Sequence, residues 1–145
     1  GTAGRAAGGY RVAVTAPGCG VIPGSGEEIR LTPVTGVLEG YNRGICLLHF
    51  HSLPVNLELR NWRAGDAYRP ASHRNTLKIK NLFQRARIPV WEREGWPVLV
   101  AGGRIVWARR FGAAAERAGG GAGAGVVEVS DLADISKTSN PDPCM

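Results

Sequence analysis

The side chains with the clearest chemical potential in this 145-residue chain are its bases. Twelve stand between Glu58 and Phe111: Arg60, Arg63, Arg69, Arg74, Lys78, Lys80, Arg85, Arg87, Arg93, Arg104, Arg109 and Arg110. Four acids, Glu58, Asp66, Glu92 and Glu94, share that stretch, so it carries +8 while the whole chain carries +6 and the remainder −2. Charge divided this unevenly points to a polyanionic partner, either a nucleic acid or an anionic membrane; the plain alternative is a basic, solvated surface. Other chemistry is thinner. His49 and His51 share one strand face at a spacing that two metal ligands can use, but no nearby Cys, Asp or Glu completes a set. His73 sits among the bases, where it can assist phosphate binding at acid pH or be an ordinary exposed histidine. Cys19, Cys46 and Cys144 have no CxxC spacing and suggest neither a zinc ribbon nor a disulfide framework. Their odd number suits a reducing cytoplasm. The segment from Gly24 to Ile29 (GSGEEI) lacks the Lys-Ser/Thr that completes a phosphate loop and reads as a turn. No Ser/His/Asp or Cys/His arrangement stands out, and Glu27-Glu28 lies in no motif, so nothing points to autonomous catalysis.

The elements that must hold these bases follow from periodicity. A chain of this length suits one domain that buries roughly 70% of its unfolded surface. Tyr10–Ala16 and Glu28–Thr32 read as short strands separated by the turn chemistry of Pro17–Gly26. Ile45–Phe50 is a compact apolar run that predicts a buried strand. Val55–Trp62 alternates, with Val55, Leu57 and Leu59 facing inward and Asn56, Glu58 and Arg60 facing water. Arg63–Asn75 is a loop broken by Gly65, Asp66 and Pro70. The spacing of Ile79, Leu82, Phe83 and Ala86 predicts an amphipathic helix over Leu77–Arg87, capped by Asn75 or Thr76 and stopped by Pro89. Lys78 and Arg85 then flank its apolar stripe on one side, Lys80 and Arg87 on the other. Trp96–Arg109 reads as a hairpin turning at Gly102-Gly103. Gly119–Gly125 is a flexible loop and Val126–Val129 a last strand. The expected organisation is a flexible leader over 1–9, one domain over 10–131 and a tail over 132–145. No apolar run approaches the length of a membrane span, and the amino terminus lacks the apolar stretch of a signal peptide.

One stretch carries a resemblance. Arg60-Asn61-Trp62-Arg63-Ala64-Gly65-Asp66 is followed by Arg69-Pro70, Lys78-Ile79-Lys80, Phe83 and Ile88-Pro89. Arg93, Pro97-Val98-Leu99-Val100 and Ile105-Val106-Trp107 then follow in order. This succession, strongest over 57–107, resembles the carboxy-terminal domain of tRNA(Ile)-lysidine synthetases. The resemblance implies an α+β fold, a small β-sandwich-like sheet arrangement with a covering amphipathic helix. It implies a role in holding the acceptor-stem side of tRNA(Ile) while the enzyme's own N-terminal catalytic domain modifies the wobble cytidine of the CAU anticodon. That domain uses ATP and Mg through a Ser-Gly-Gly-x-Asp-Ser loop, which does not occur in these 145 residues. No cofactor is therefore expected for this chain, and it is expected to be inactive alone.

With that resemblance, Arg60, Arg63, Arg69, Arg74, Lys78, Lys80, Arg85 and Arg87 are the expected RNA-contacting set, reading the phosphates and 2′-hydroxyls of an A-form stem. Gly65, Asp66 and Pro70 are expected to shape the loop, with Asp66 accepting hydrogen bonds from an Arg or from loop amides. The expected partners are tRNA(Ile) and the catalytic domain, with no membrane, in the cytoplasm; the residues assign no oligomeric state. The alternative is a module that docks on its own catalytic domain with little direct RNA contact. A small metal-dependent hydrolase using His49 and His51 is a remote third. The four tryptophans are expected to pack rather than stack on bases, Trp91 being the most exposed because its neighbours are charged.

Overall fold

The computed structural model describes residues 9–33, 45–50, 53–71, 73–117 and 125–131. The expected leader apart from Gly9, the glycine-rich loop apart from Gly125, the tail, His51 and Cys144 lie outside the described residues.

The alternating and apolar runs form two antiparallel sheets. In the first, β1 (Arg11–Ala16), β5 (Val55–Asn61), β8 (Pro97–Ala101), β9 (Arg104–Ala108) and β10 (Gly112–Ala113) lie in that order. In the second the order is β2 (Gly18–Val21), β3 (Glu28–Pro33), β11 (Val126–Asp131) and β4 (Ile45–His49). The chain passes from one sheet to the other at Pro17, between β1 and β2. Leu57 and Leu59 of β5 pair with Val14 and Val12 of β1 and supply the inward face. They meet Ile29 and Leu31 of β3, Leu48 of β4, and Val127 and Val129 of β11 in one core. The segment before Ile45, in which little family pattern is legible, thus supplies half of the second sheet and part of the same core. Arg109 ties the sheets at their rim, its Nη2 lying 3.0 Å from Glu27 Oε1 and its guanidinium 5.8 Å from the Trp96 ring centre.

The first sheet is covered on both faces at β8, whose Pro97–Val100 are all buried, which explains the unbroken apolar run of that strand, whereas the outer face of β1 is exposed. Leu99 points into the core between the sheets, whereas Val98 and Val100 point outward against a second cluster. In β9, Ile105 joins the outer cluster while Trp107, two residues on, joins the inner one. Side chains two apart on a regular strand share a face. Here a bulge intervenes: Leu99 pairs with Trp107 but Val100 pairs with Ile105, so Val106 is the extra residue. The turn between β8 and β9 has positive φ at Gly102 and Gly103, 58° and 84°, as a tight hairpin requires.

The outer cluster is closed by α1 (Ile79–Arg85), whose Ile79, Leu82 and Phe83 are buried. Phe83 sits edge-on to Trp62 at 4.9 Å and to Trp96 at 5.3 Å, with Phe111 at 5.9 Å. The helix is shorter than the apolar spacing predicts. Leu77–Lys78 instead form a strand, β7, paired with β6 (Ala67–Tyr68) in a small ribbon, so the expected loop over 63–75 contains a strand of its own. The ribbon takes the backbone that Asn75 or Thr76 would otherwise have capped. Lys78 is the N-cap, without a side-chain bond, and the Ile79 amide donates to the Asp66 carbonyl at 2.9 Å. The helix ends before Pro89 can stop it. Arg87 adopts φ 57°, the Ile88 amide bonds the Phe83 carbonyl at 2.9 Å, and the Arg87 amide bonds that of Gln84 at 3.1 Å. These paired bonds are a Schellman close, sealed by contact between buried Phe83 and Ile88. Ala86, the fourth position of the predicted stripe, is exposed, and Ile88 fills the cluster instead. A second short helix, α2 (Val90–Arg93), follows with Pro89 at its N-cap.

The architecture is mostly β, two packed sheets with little helix covering one outer face, in agreement with the α+β arrangement expected. Cys19 on β2 is disulfide-bonded, a single link that the cysteine spacing does not suggest. Spacing along a chain reveals local cysteine motifs and is silent on a link between residues distant in sequence. No helix among the described residues is long and apolar enough to cross a membrane.

Candidate nucleic-acid interface

The basic stretch is organised around one carboxylate. Asp66 accepts from Arg60 Nη1 at 2.9 Å and Nη2 at 3.2 Å, a two-pronged ion pair. It also accepts from the Arg63 backbone amide at 2.7 Å, while its own amide donates to the Arg63 carbonyl at 3.0 Å. Gly65, at φ 92°, occupies the third position of that four-residue turn, which has the geometry of type II and calls for glycine there. Pro70 is buried and bridges Ala114, and its neighbours lock the loop to the sheet: the Ala71 amide donates to the Ala113 carbonyl at 3.0 Å, and the Ala115 amide to that of Arg69 at 2.8 Å. A loop rich in arginine is thereby fixed at both ends.

Fixing the loop sorts the bases. The Arg60 side chain is only 11% exposed, because the 63–68 loop folds over the strand face on which it lies, and its guanidinium is engaged by Asp66 and the Asn61 carbonyl. Arg93 donates to the Ile88 carbonyl at 2.9 Å and lies over the Phe83 ring at 5.3 Å. Arg109 is engaged by Glu27. Among the remaining nine, Arg63, Arg69, Arg74, Lys78, Lys80, Arg85 and Arg87 of the expected set are all exposed, as are Arg104 and Arg110. Arg69 keeps its direction through a 3.2 Å bond to the His73 carbonyl. Of the four acids in the stretch, Glu58 is paired with Arg11 and Asp66 with Arg60, and Glu92 and Glu94 are exposed. The outward charge is therefore more one-sided than the sequence count, with nine exposed bases against two exposed acids.

Arg104 belongs with this surface although its sequence neighbourhood does not announce it. It follows the Gly102-Gly103 turn, and β9 runs beside the β6 ribbon, so the hairpin tip borders the loop that carries Arg69. The glycine pair signals a tip; only the tertiary fold brings that tip to the loop. The tryptophans divide as their surroundings dictate. Trp96 and Trp107 are buried, Trp62 is half-buried, and Trp91 is 80% exposed beside Val90 at 71%. His49 is half-buried on β4 with its carbonyl accepting from Arg117, and His51, the second member of the expected metal pair, lies outside the described residues. Among the described residues no three His, Cys, Asp or Glu side chains converge as a metal site.

The sequence and the fold both match known proteins. The family model described as the TilS substrate C-terminal domain matches residues 57–129. The chain is 47% identical over 117 residues to the tRNA(Ile)-lysidine synthase of Solibacter usitatus (strain Ellin6076), an alignment taking in 77% of this chain and 27% of that protein. It is 31% identical over 96 residues to the tRNA(Ile)-lysidine synthase of Symbiobacterium thermophilum, covering 65% of this chain and 20% of the relative. The chain thus spans about a quarter of the length of these relatives. A solved structure described as the crystal structure of a TILS C-terminal domain superposes with a TM-score of 0.67 at 24% identity, over 85% of this chain and 95% of that one, and so shares its fold. With half of its length matched by the family model, and the matched half containing the Arg60–Asp66 loop, α1 and the β8–β9 hairpin, the chain belongs to the TilS C-terminal domain family.

Proposed function

We propose that this chain is a tRNA-holding domain, binding tRNA(Ile) so that a catalytic domain of the same enzyme can join lysine to the wobble cytidine of the CAU anticodon. The observation that carries the reading is the sorting of charge: nine exposed bases against two exposed acids between Glu58 and Phe111, with the acid-paired and ring-stacked arginines turned inward. Exposed lysines and arginines on a rigid loop and helix suit the phosphates of an A-form stem, whose shape such contacts read more than its sequence. ATP and Mg are assigned to the catalytic domain, with no cofactor held here, and the compartment is the cytoplasm, where the tRNA is. The test is fluorescence anisotropy of the chain with a tRNA(Ile) transcript, another tRNA and a DNA duplex across a salt series. Saturable binding that prefers tRNA(Ile), with a salt slope corresponding to several phosphates, supports the reading. Equal weak binding to all three removes it.

One observation favours a second reading, docking on the catalytic domain with little RNA contact. Val90 and Trp91 form an exposed apolar pair, 71% and 80% accessible, of the kind that anchors protein interfaces. Trp91→Ala separates the two. It weakens association with a separately produced catalytic domain under the docking reading, and it leaves that association unchanged if the pair has no partner there.

A further inference from the structure

A cleft of about 490 Å³ opens between the loop that carries Gly65–Arg69 and the tip of the β8–β9 hairpin. Its lining includes the Arg60–Asp66 pair, which is already mutually neutralised. It also includes two exposed cations, Arg69 and Arg104, and the exposed carboxylate of Glu116 from the short 3-10 turn Ala115–Arg117. Arg69 is oriented by one bond to the His73 carbonyl, and among the described residues Arg104 and Glu116 form no ion pair or side-chain hydrogen bond. Arg104 and Glu116 therefore share a cleft without satisfying one another.

A cleft for phosphate alone gains nothing from a carboxylate, which repels its ligand. Unpaired cations and an unpaired carboxylate together suit a ligand that sets an anion beside a hydrogen-bond donor. Every unit of an RNA strand does so, because the ribose 2′-hydroxyl neighbours the 3′-phosphate whatever the base. We propose that this cleft seats one ribose–phosphate unit of bound RNA, its phosphate against Arg69 and Arg104 and its 2′-hydroxyl donating to Glu116. The inference rests on the RNA-binding reading above and adds a sugar-reading residue to it. Glu116 selects RNA by its hydroxyl, and the two arginines supply attraction that is indifferent to the sugar.

The test uses one stem-loop sequence in two forms, all-ribose and 2′-fluoro, the latter keeping A-form geometry while losing the donor. The chain and its Glu116→Ala, Glu116→Gln and Arg104→Ala variants are titrated against both by anisotropy, with circular dichroism checking the fold of each. The preference of the unmodified chain for the ribose form is expected to exceed that of Glu116→Ala by roughly tenfold, the effect of one charge-assisted hydrogen bond. Glu116→Gln, which retains an acceptor, keeps part of that preference. Arg104→Ala weakens both forms equally. If Glu116→Ala tightens both forms by the same factor, the carboxylate only repels phosphate and the inference falls while RNA binding stands. Saturable binding to neither form removes the RNA-binding reading, and this inference with it.

Discussion

At the scale of single residues, Asp66 and Arg87 separate stability from binding. Asp66 neutralises a guanidinium that is 11% exposed and satisfies a backbone amide; its removal leaves the buried charge with the Asn61 carbonyl alone and the Arg63 amide without its acceptor. Asp66→Ala is expected to lower unfolding free energy by about 2 kcal/mol, read as a shift in urea midpoint. Arg87 acts in the opposite sense. Its φ of 57° is a conformation that glycine adopts freely and other residues adopt at a cost. Arg87→Gly should therefore stabilise the fold, by about 0.5–1 kcal/mol, while weakening tRNA binding through the loss of an exposed cation. Unchanged affinity in that variant would take Arg87 out of the RNA-binding set. The sequence shows that these residues are charged but not which of them face solvent. Strand alternation places Arg60 on the wet side of β5, and only the fold of the following loop reveals that this side is covered. The exposure of Trp91 agrees with the reading of its setting, where Glu92, Arg93 and Glu94 follow it directly in sequence.

Among the elements, α1 and the hairpin beneath it act as one unit. Phe83 is fully buried among Trp62, Trp96 and Phe111, so Phe83→Ala removes the centre of the outer cluster. The expected loss is about 3–5 kcal/mol in chemical denaturation, accompanied by a change in tryptophan emission because two of the neighbouring rings are indoles. A loss below about 1 kcal/mol would mean that the helix is not held through this ring. The strands are largely legible, since β1, β3, β4, β5, β8, β9 and β11 each follow an apolar alternation or run with turn residues between. The helix boundaries are less so. The periodicity of Leu77–Arg87 is genuine, yet its first residues pair with β6, an interaction between segments that local spacing does not encode. The bulge at Val106 is equally hidden, because every residue around it is apolar and either face would accept them.

For the whole molecule, the proposed tRNA binding rests on charge carried by a rigid frame. The two sheets share a core to which the first and last described strands both contribute, and the outer cluster fixes the basic loop and helix on that frame. Such a surface should lose tRNA affinity when its charge is reversed and keep its fold, because the bases concerned are exposed. The uneven charge is legible in the sequence, but the burial of Arg60, Arg93 and Arg109 and the approach of Arg104 to the loop depend on pairings of distant segments. The most direct test is a salt series of tRNA(Ile) binding by the chain and its Lys78→Glu/Lys80→Glu variant. The variant is expected to unfold at an unchanged urea midpoint and to bind tRNA(Ile) at least tenfold more weakly. Its salt slope should be shallower by roughly 0.7–0.9 for each phosphate that is no longer neutralised. Equal affinity and equal slope in the two proteins would contradict a tRNA-holding role for this surface.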